Sequence, residues 1–203
     1  MDPFTSLTGA AAPLDRINVD TDQITPKQYL KSIGRTGFGK FLFADWRYQD
    51  GDLKRPRPDF VLNQPRYRDA KILVTRDNFG CGSSREHAAW ALTDFGIRCV
   101  IASSFGDIFY NNSLKNGLLP AIVEDSEAER LIREIESHPG LQVKVDLREQ
   151  VISTDSGFSV RFRVSPEAKR KLLEGLDDIS QTLLHEREIT DFEQRRKRAQ
   201  PWL

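Results

Sequence analysis

Cysteine is scarce in this 203-residue chain: Cys81 and Cys99 are the only two, and they are not in CxxC spacing. Two such thiols make neither a disulfide framework nor a redox pair, and the expectation is free thiols in a reducing cytoplasm. Histidine is equally sparse. The three present never fall in HExxH or HxxxH spacing, which argues against a self-contained zinc site. Long apolar runs are missing, and none approaches the ~20 residues of a membrane span. The opening Met1-Asp2-Pro3-Phe4 lacks the basic-then-apolar pattern of a secretory signal. An excess of one charge is missing too: Lys plus Arg and Asp plus Glu both number 30. Without a global basic field, nucleic acid and anionic membrane are not expected partners. The basic run Arg195-Arg196-Lys197-Arg198 is offset by Glu186, Glu188, Asp191 and Glu193, and reads as a solvated helix face.

What is present suits one domain through residue 175, followed by a helical tail over 176–203 packed on it. Phe4 to Leu14 reads as an opening strand, Ile17 to Pro26 as a polar turn segment, and Pro26 as the start of a short helix through Leu30. Gly34, Gly37 and Gly39 mark a loop. Phe38, Phe41, Leu42, Phe43 and Trp46 then recur at helical spacing, and Gln49 to Asp59 reads as a surface loop. The middle alternates strand and helix: strand 72–74, helix 84–95 stopped by Gly96, strand 99–102, helix 105–114, and a strand over 118–123 broken by Pro120. A well-capped helix opens at Ser126. Such alternation implies a parallel sheet with right-handed crossovers. Residues 141–146, 151–154 and 158–164 alternate apolar with polar, which suits antiparallel strands. Ser165-Pro166-Glu167 opens a further helix.

One turn concentrates the chemistry. Asn78-Phe79-Gly80-Cys81-Gly82-Ser83-Ser84-Arg85-Glu86-His87-Ala88 joins a strand to a helix, the place where open α/β folds hold ligands. A helix N-terminus offers unpaired N–H groups and partial positive charge. Arg85 adds a full charge with a fork for carboxylate or phosphate, and one of the two serines is the expected N-cap. The simplest reading is a structural turn, but it leaves the convergence of two glycines, two serines and an arginine unexplained. Nucleotide binding fits poorly, because Arg85 stands at the third glycine of GxGxxG and no GxxxxGK[ST] occurs. A subsite for a di- or tricarboxylate fits best: Arg85 clamps a carboxylate, and a serine whose alkoxide is stabilised by the surrounding positive field moves a proton. GxSxG is absent, so a hydrolase elbow is not indicated. Asp20 and Asp22 read locally as turn formers, and Cys81 as a small residue beside the site.

The same residues resemble the signature of the aconitase-superfamily swivelling domain, in the form of bacterial 3-isopropylmalate dehydratase small subunits. Further matches run in order along nearly the whole chain: Asp20-Thr21-Asp22-Gln23-Ile24, Gly34-Arg35-Thr36-Gly37-Phe38-Gly39, Asp107 to Asn112, Lys115-Asn116-Gly117-Leu118-Leu119-Pro120 and Gly175 to Ile179. The resemblance implies an α/β fold, a three-layer β/β/α swivelling domain with a mixed sheet partly closed into a barrel. It implies interconversion of 2- and 3-isopropylmalate by loss and re-addition of water, in leucine biosynthesis. It implies Ser83 as the base that removes a proton α to a carboxylate, and Ser84 as support for its oxyanion. Arg85 would bind a substrate carboxylate, with Gly82, Thr21 and Asp22 at the same site. Tyr29, Leu30, Lys31 and Arg35 would meet the part of the substrate that varies. A [4Fe-4S] cluster would be held by three cysteines of a large-subunit partner, since this chain's two cysteines cannot carry one. Related hydroxy-acids of the homoaconitate, citramalate or dimethylmalate type stay open as substrates. A non-catalytic anion-binding module stays open as another class.

Overall fold

A computed structural model of the chain describes residues 1–30, 34–200 and 202. Along the chain the strands are β1 (Ser6–Pro13), β2 (Tyr48–Gln49), β3 (Asp52–Pro56), β4 (Ile72–Val74), β5 (Cys99–Ala102), β6 (Leu119–Ile122), β7 (Gln142–Asp146), β8 (Val151–Thr154) and β9 (Ser159–Arg161). Seven of them form one mixed sheet in the order β6-β5-β4-β1-β7-β8-β9. The parallel half, β6 to β1, is built by the strand–helix alternation of the middle of the chain. The antiparallel half, β1 to β9, is built by the alternating segments after residue 141.

β1 is the hinge between the halves. Its first part, Ser6–Ala10, pairs antiparallel with β7, and its last part, Ala11–Pro13, pairs parallel with β4. That offset staggers the strands, and staggered strands curl a sheet toward a barrel. The curl brings the two edges together: Ile122, at the end of β6, forms an antiparallel bridge with Arg163, just beyond β9. The mixed, partly closed sheet is therefore as expected. Ile72-Leu73-Val74 and Cys99 to Ala102 are wholly buried, as central parallel strands are. Pro120 does not break β6. It pairs with Val100 on an edge strand, where the missing N–H is tolerated.

The helices are α1 (Thr21–Ile24), α2 (Ala44–Arg47), α3 (Glu86–Phe95), α4 (Asp107–Lys115), α5 (Asp125–Ser137), α6 (Pro166–Glu174), α7 (Asp178–Leu183) and α8 (Glu186–Ala199). Several depart from expectation. The polar segment before Pro26 contains α1, closed by a capping box in which Asp20 accepts from Gln23 N–H and the Gln23 side chain accepts from Asp20 N–H. The apolar spacing from Phe38 to Trp46 is not one helix: a 3₁₀ turn over Gly39–Phe41 is separated from α2 by Phe43 in the left-handed region. Residues expected as a surface loop pair instead as the hairpin β2–β3. α3 starts at Glu86, not Ser84, and α5 starts at Asp125 without a side-chain cap. The tail is helical, but α7 and α8 bury no residue, and every residue of α8 is exposed. The expectation of a tail packed on the domain does not hold for α8 in this chain alone.

Candidate active site

The glycine-rich turn singled out in the sequence lies between β4 and α3 and is shaped by its glycines. Gly80 has φ +75°, and a Cβ there would stand 2.2 Å from Phe109 Cγ of α4, so both backbone angle and space require glycine. Gly106, before α4, lets that helix approach the turn: its own Cβ would meet Gly80 O at 2.6 Å. Backbone bonds complete the clamp, with Gly80 N–H donating to Val19 O (2.7 Å), Phe79 N–H to Ser104 O (3.1 Å) and Gly106 N–H to Phe79 O (2.9 Å). The turn is thus fixed from both sides before any functional side chain is considered.

Ser83 and Ser84 do not cap α3. The N-cap position is Arg85, in an extended conformation and without a side-chain cap bond. Among the described residues nothing accepts from the N–H groups of Ser84, Glu86 or His87, the orphan donors of an uncapped helix start. Gly82, Ser83 and Ser84 are exposed, and Arg85 is half-buried. The serine hydroxyls are therefore not consumed in capping the helix.

α1 supplies the other wall. Thr21 N–H donates to Cys81 O (3.0 Å), and Thr21 Oγ1 donates to Ser83 O (2.8 Å). Thr21 is only 1% exposed, so its hydroxyl sits beneath the turn and holds the Ser83 main chain. The resemblance implies that Thr21 and Asp22 orient the serine or the arginine, and in this geometry Thr21 reaches the Ser83 main chain. The carboxylate of Asp22 accepts from Arg85 Nη1 and from Lys27 N–H (2.9 Å). The Arg85 bond, with the Lys27 N–H adding to it against partial desolvation, holds the Asp22 carboxyl below the usual carboxylate range. Asp22 thus aims the guanidinium, and it occupies a carboxylate position on Arg85.

Four expected site residues, Thr21, Asp22, Ser83 and Arg85, are thereby brought together. The specificity group is more spread. Tyr29 closes a 3₁₀ turn that begins at Lys27, next to Asp22, and stacks on Phe41 with ring centroids 4.3 Å apart. Leu30 follows it, half-buried. Lys31 lies outside the described residues. Arg35 rests over the Trp90 ring of α3 at 5.6 Å, not at the serines. His87 is enclosed by Phe38 and Trp90, at 5.1 and 4.6 Å, and desolvation pushes its pKa below the ordinary histidine value, against a smaller opposing pull from Glu86. Burial and the nearby Asp20 raise the Cys81 thiol, which makes it a poor nucleophile at neutral pH. Cys99 is fully buried in β5.

Sequence reasoning did not identify Asn116. Its side chain links Glu86 and Trp90 of α3 to the end of α4. The Lys115-Asn116-Gly117 run entered only as a match to the family pattern with no role attached, and the contacts of Asn116 need the packing of two helices to become visible.

Residues 1–126 match the aconitase C-terminal domain model, 129–166 the LeuD_N model, and 178–203 the model for the C-terminal domain of the 3-isopropylmalate dehydratase small subunit. The chain is 54% identical to the 3-isopropylmalate dehydratase small subunit of Neisseria meningitidis serogroup C (strain 053442), and 52% to that of Neisseria gonorrhoeae (strain ATCC 700825 / FA 1090). In both cases the match spans 100% of this chain and 99% of the relative. A crystal structure of 3-isopropylmalate dehydratase from Methanocaldococcus jannaschii superposes with a TM-score of 0.65 at 26% identity, covering 93% of this chain and 99% of that one. With the clamped serine–arginine turn and the curled mixed sheet, these full-length likenesses place the chain in the 3-isopropylmalate dehydratase small-subunit family.

Proposed function

We propose that the chain works as the small subunit of 3-isopropylmalate dehydratase, contributing the proton-transfer and carboxylate-binding half of a site completed by a large subunit. The observation that carries this reading is the exposed Ser83–Ser84 pair at an uncapped helix end, with Arg85 aimed by Asp22 and the Ser83 main chain held by Thr21. Arg85 binds a substrate carboxylate through its fork, displacing the Asp22 contact or sharing it. Ser83 Oγ, as an alkoxide stabilised by the N–H groups of α3 and by Arg85, takes the proton from the carbon α to that carboxylate. The C–O bond on the neighbouring carbon breaks, its electron pair leaves with the hydroxyl oxygen, and that oxygen takes up a proton from the large-subunit half of the site to depart as water, while the abstracted proton stays on Ser83. An alkene remains, and adding water with the opposite regiochemistry gives the isomer.

The residues here do not fit an iron–sulfur cluster. Cys99 is buried in the sheet, burial and the nearby Asp20 push the Cys81 thiol up, and the described residues hold no group of three or more His, Cys, Asp or Glu placed for a metal ion. The cluster belongs, in this reading, to the large subunit of a heterodimer in the cytoplasm, and no step assigned to this chain passes through it. The division at residue 175, with a helical tail beyond it, is part of the same proposal.

The test is reconstitution: the purified chain mixed anaerobically with a cluster-loaded large subunit, with alkene absorbance followed on isopropylmalate, citrate, homocitrate and citramalate separately. Turnover of isopropylmalate only with both chains present is the expected result. Turnover of a different hydroxy-acid instead would keep the chemistry and change the substrate. No turnover on any, with a confirmed complex and intact cluster, would leave an anion-binding module as the better account.

A further inference from the structure

The side chain of Asn116, at the C-terminal cap of α4, ties two residues of α3 to the end of α4. Trp90 Nε1 donates to Asn116 Oδ1 (3.0 Å). Asn116 Nδ2 donates to Glu86 Oε1 (2.9 Å) and to Asn112 O (2.8 Å). An indole N–H only donates, whereas a carboxylate and a peptide carbonyl only accept. The amide orientation is therefore fixed by chemistry, and no other residue of this length satisfies all three partners. Aspartate would lose both donors and set a like charge against Glu86. Leucine would strand the indole N–H and the carboxylate.

Each partner leads to a different element of the site. Glu86 is the first residue of α3, adjacent to Arg85 at the catalytic turn. Trp90, one turn further on, is the platform for the loop that precedes α2: the Arg35 guanidinium lies over its ring at 5.6 Å, and the Phe38 ring is 6.0 Å away. Phe38 is itself buried, and the next residue, Gly39, donates its N–H to Asp94 Oδ2 (2.7 Å) on the same helix. The loop therefore rides on α3, and Asn116 locks the rotation of that helix against α4.

We propose that Asn116 is a positioning residue that sets the catalytic turn and the Arg35–Phe38 loop in register, and so contributes to substrate discrimination. The inference rests on the functional reading above. Its test uses the complex with the large subunit and compares wild type, Asn116→Asp, the double variant Asn116→Asp/Glu86→Gln, and Trp90→Phe. For each, kcat and KM are measured on isopropylmalate and on citramalate, which carries a methyl in place of the isopropyl group, beside the melting temperature of the isolated chain. Asn116→Asp is expected to lower kcat/KM for isopropylmalate on the order of tenfold and to change the ratio between the two substrates. The double variant restores a donor–acceptor pair with residue 86 in reversed polarity and should recover part of that loss, the side-chain bond to Asn112 O staying absent. Trp90→Phe keeps the ring but loses the tether, so it should shift the substrate ratio with little change in kcat. It also keeps the inference testable if Asn116→Asp does not fold. Equal losses on both substrates that follow the melting temperature, without rescue in the double variant, would reduce Asn116 to a structural cap and overturn the inference. An inactive wild-type complex would instead overturn the functional reading, and this inference with it.

Discussion

At the scale of single residues, the proposed function divides proton transfer and binding between Ser83 and Arg85, and on that proposal their variants should separate in kinetics. Ser83→Ala should lower kcat of the reconstituted complex by about 10²–10⁴-fold with KM largely unchanged, the usual cost of losing a positioned acid–base group. Arg85→Lys should act mainly through KM, because a lysine cannot reproduce the fork that Asp22 now engages. Steady-state measurements on both variants check the division, and an unchanged KM for Arg85→Lys would remove the carboxylate-clamp role. The same pair makes a prediction about acid. The folded-state pKa of Asp22 is depressed, first by Arg85, so its contribution to stability is fully present above the ordinary aspartate value of about 3.9 and is lost as pH falls through the lower folded value. Partial exposure keeps that contribution small. Asp22→Asn should lower the urea midpoint slightly and by a constant amount between pH 5 and 7, and the two proteins should converge as pH falls through the acid limb. Ser83 and Arg85 could be singled out in the sequence because the chemistry proposed for them is carried by residue type at a strand–helix turn. Thr21 was legible only as a neighbour, because its hydroxyl is defined by a carbonyl 62 positions away.

At the scale of elements, local chemistry was readable wherever it was self-contained. Ser165-Pro166-Glu167 announces α6, and Ser165 does accept from Ala168 N–H (3.2 Å), with Pro166 in the first turn. Ser165→Ala should cost about 1 kcal/mol, measured as a shift of the urea midpoint. The start of α3 was misread for the opposite reason. Serine before a helix normally caps it, whereas here the hydroxyls are spared and the helix begins two residues later. The β2–β3 hairpin was hidden by Pro56 and by polar residues that suit a loop as well as a short exposed ribbon. Gly80 sits between these cases. A glycine-rich turn was plain, but only the packing of α4 shows that Phe109 occupies the place of a side chain. Gly80→Ala combines an unfavourable φ with a clash, and should destabilise by about 2 kcal/mol or more. A midpoint unchanged in chemical denaturation would mean that α4 can move away freely, and the clamp on the catalytic turn would then be far looser than its hydrogen bonds imply.

At the scale of the whole molecule, the sheet and the tail obey different physics. The stagger at β1, which curls the sheet until Ile122 meets Arg163, depends on register between strands more than a hundred residues apart, and no periodicity within one segment encodes it. The helices of the tail were visible as amphipathic pattern, but a pattern does not say what covers the apolar face. Here Ile179, Leu183, Leu184 and Phe192 remain exposed, and Phe192 shows 56% of its surface. The chain before the tail is secured independently: Met1 N donates to Gly175 O (3.1 Å) and Phe4 N–H to Leu172 O (2.8 Å), closing the N-terminus onto the end of α6. α8 therefore adds no buried apolar area to the domain, and a 14-residue helix without such burial is marginal in water. Two results should follow for the isolated chain. Deleting residues 186–203 should leave its melting temperature within about 2 °C of the full chain, since a shift of several degrees corresponds to roughly 1 kcal/mol of lost packing. Amide hydrogens of α8 should exchange with little protection, while those of β4 and β5 exchange only on global unfolding. A drop of several degrees, or strong protection in α8, would mean that the helix folds back onto apolar surface in solution, and the domain would then have to be counted as including its tail.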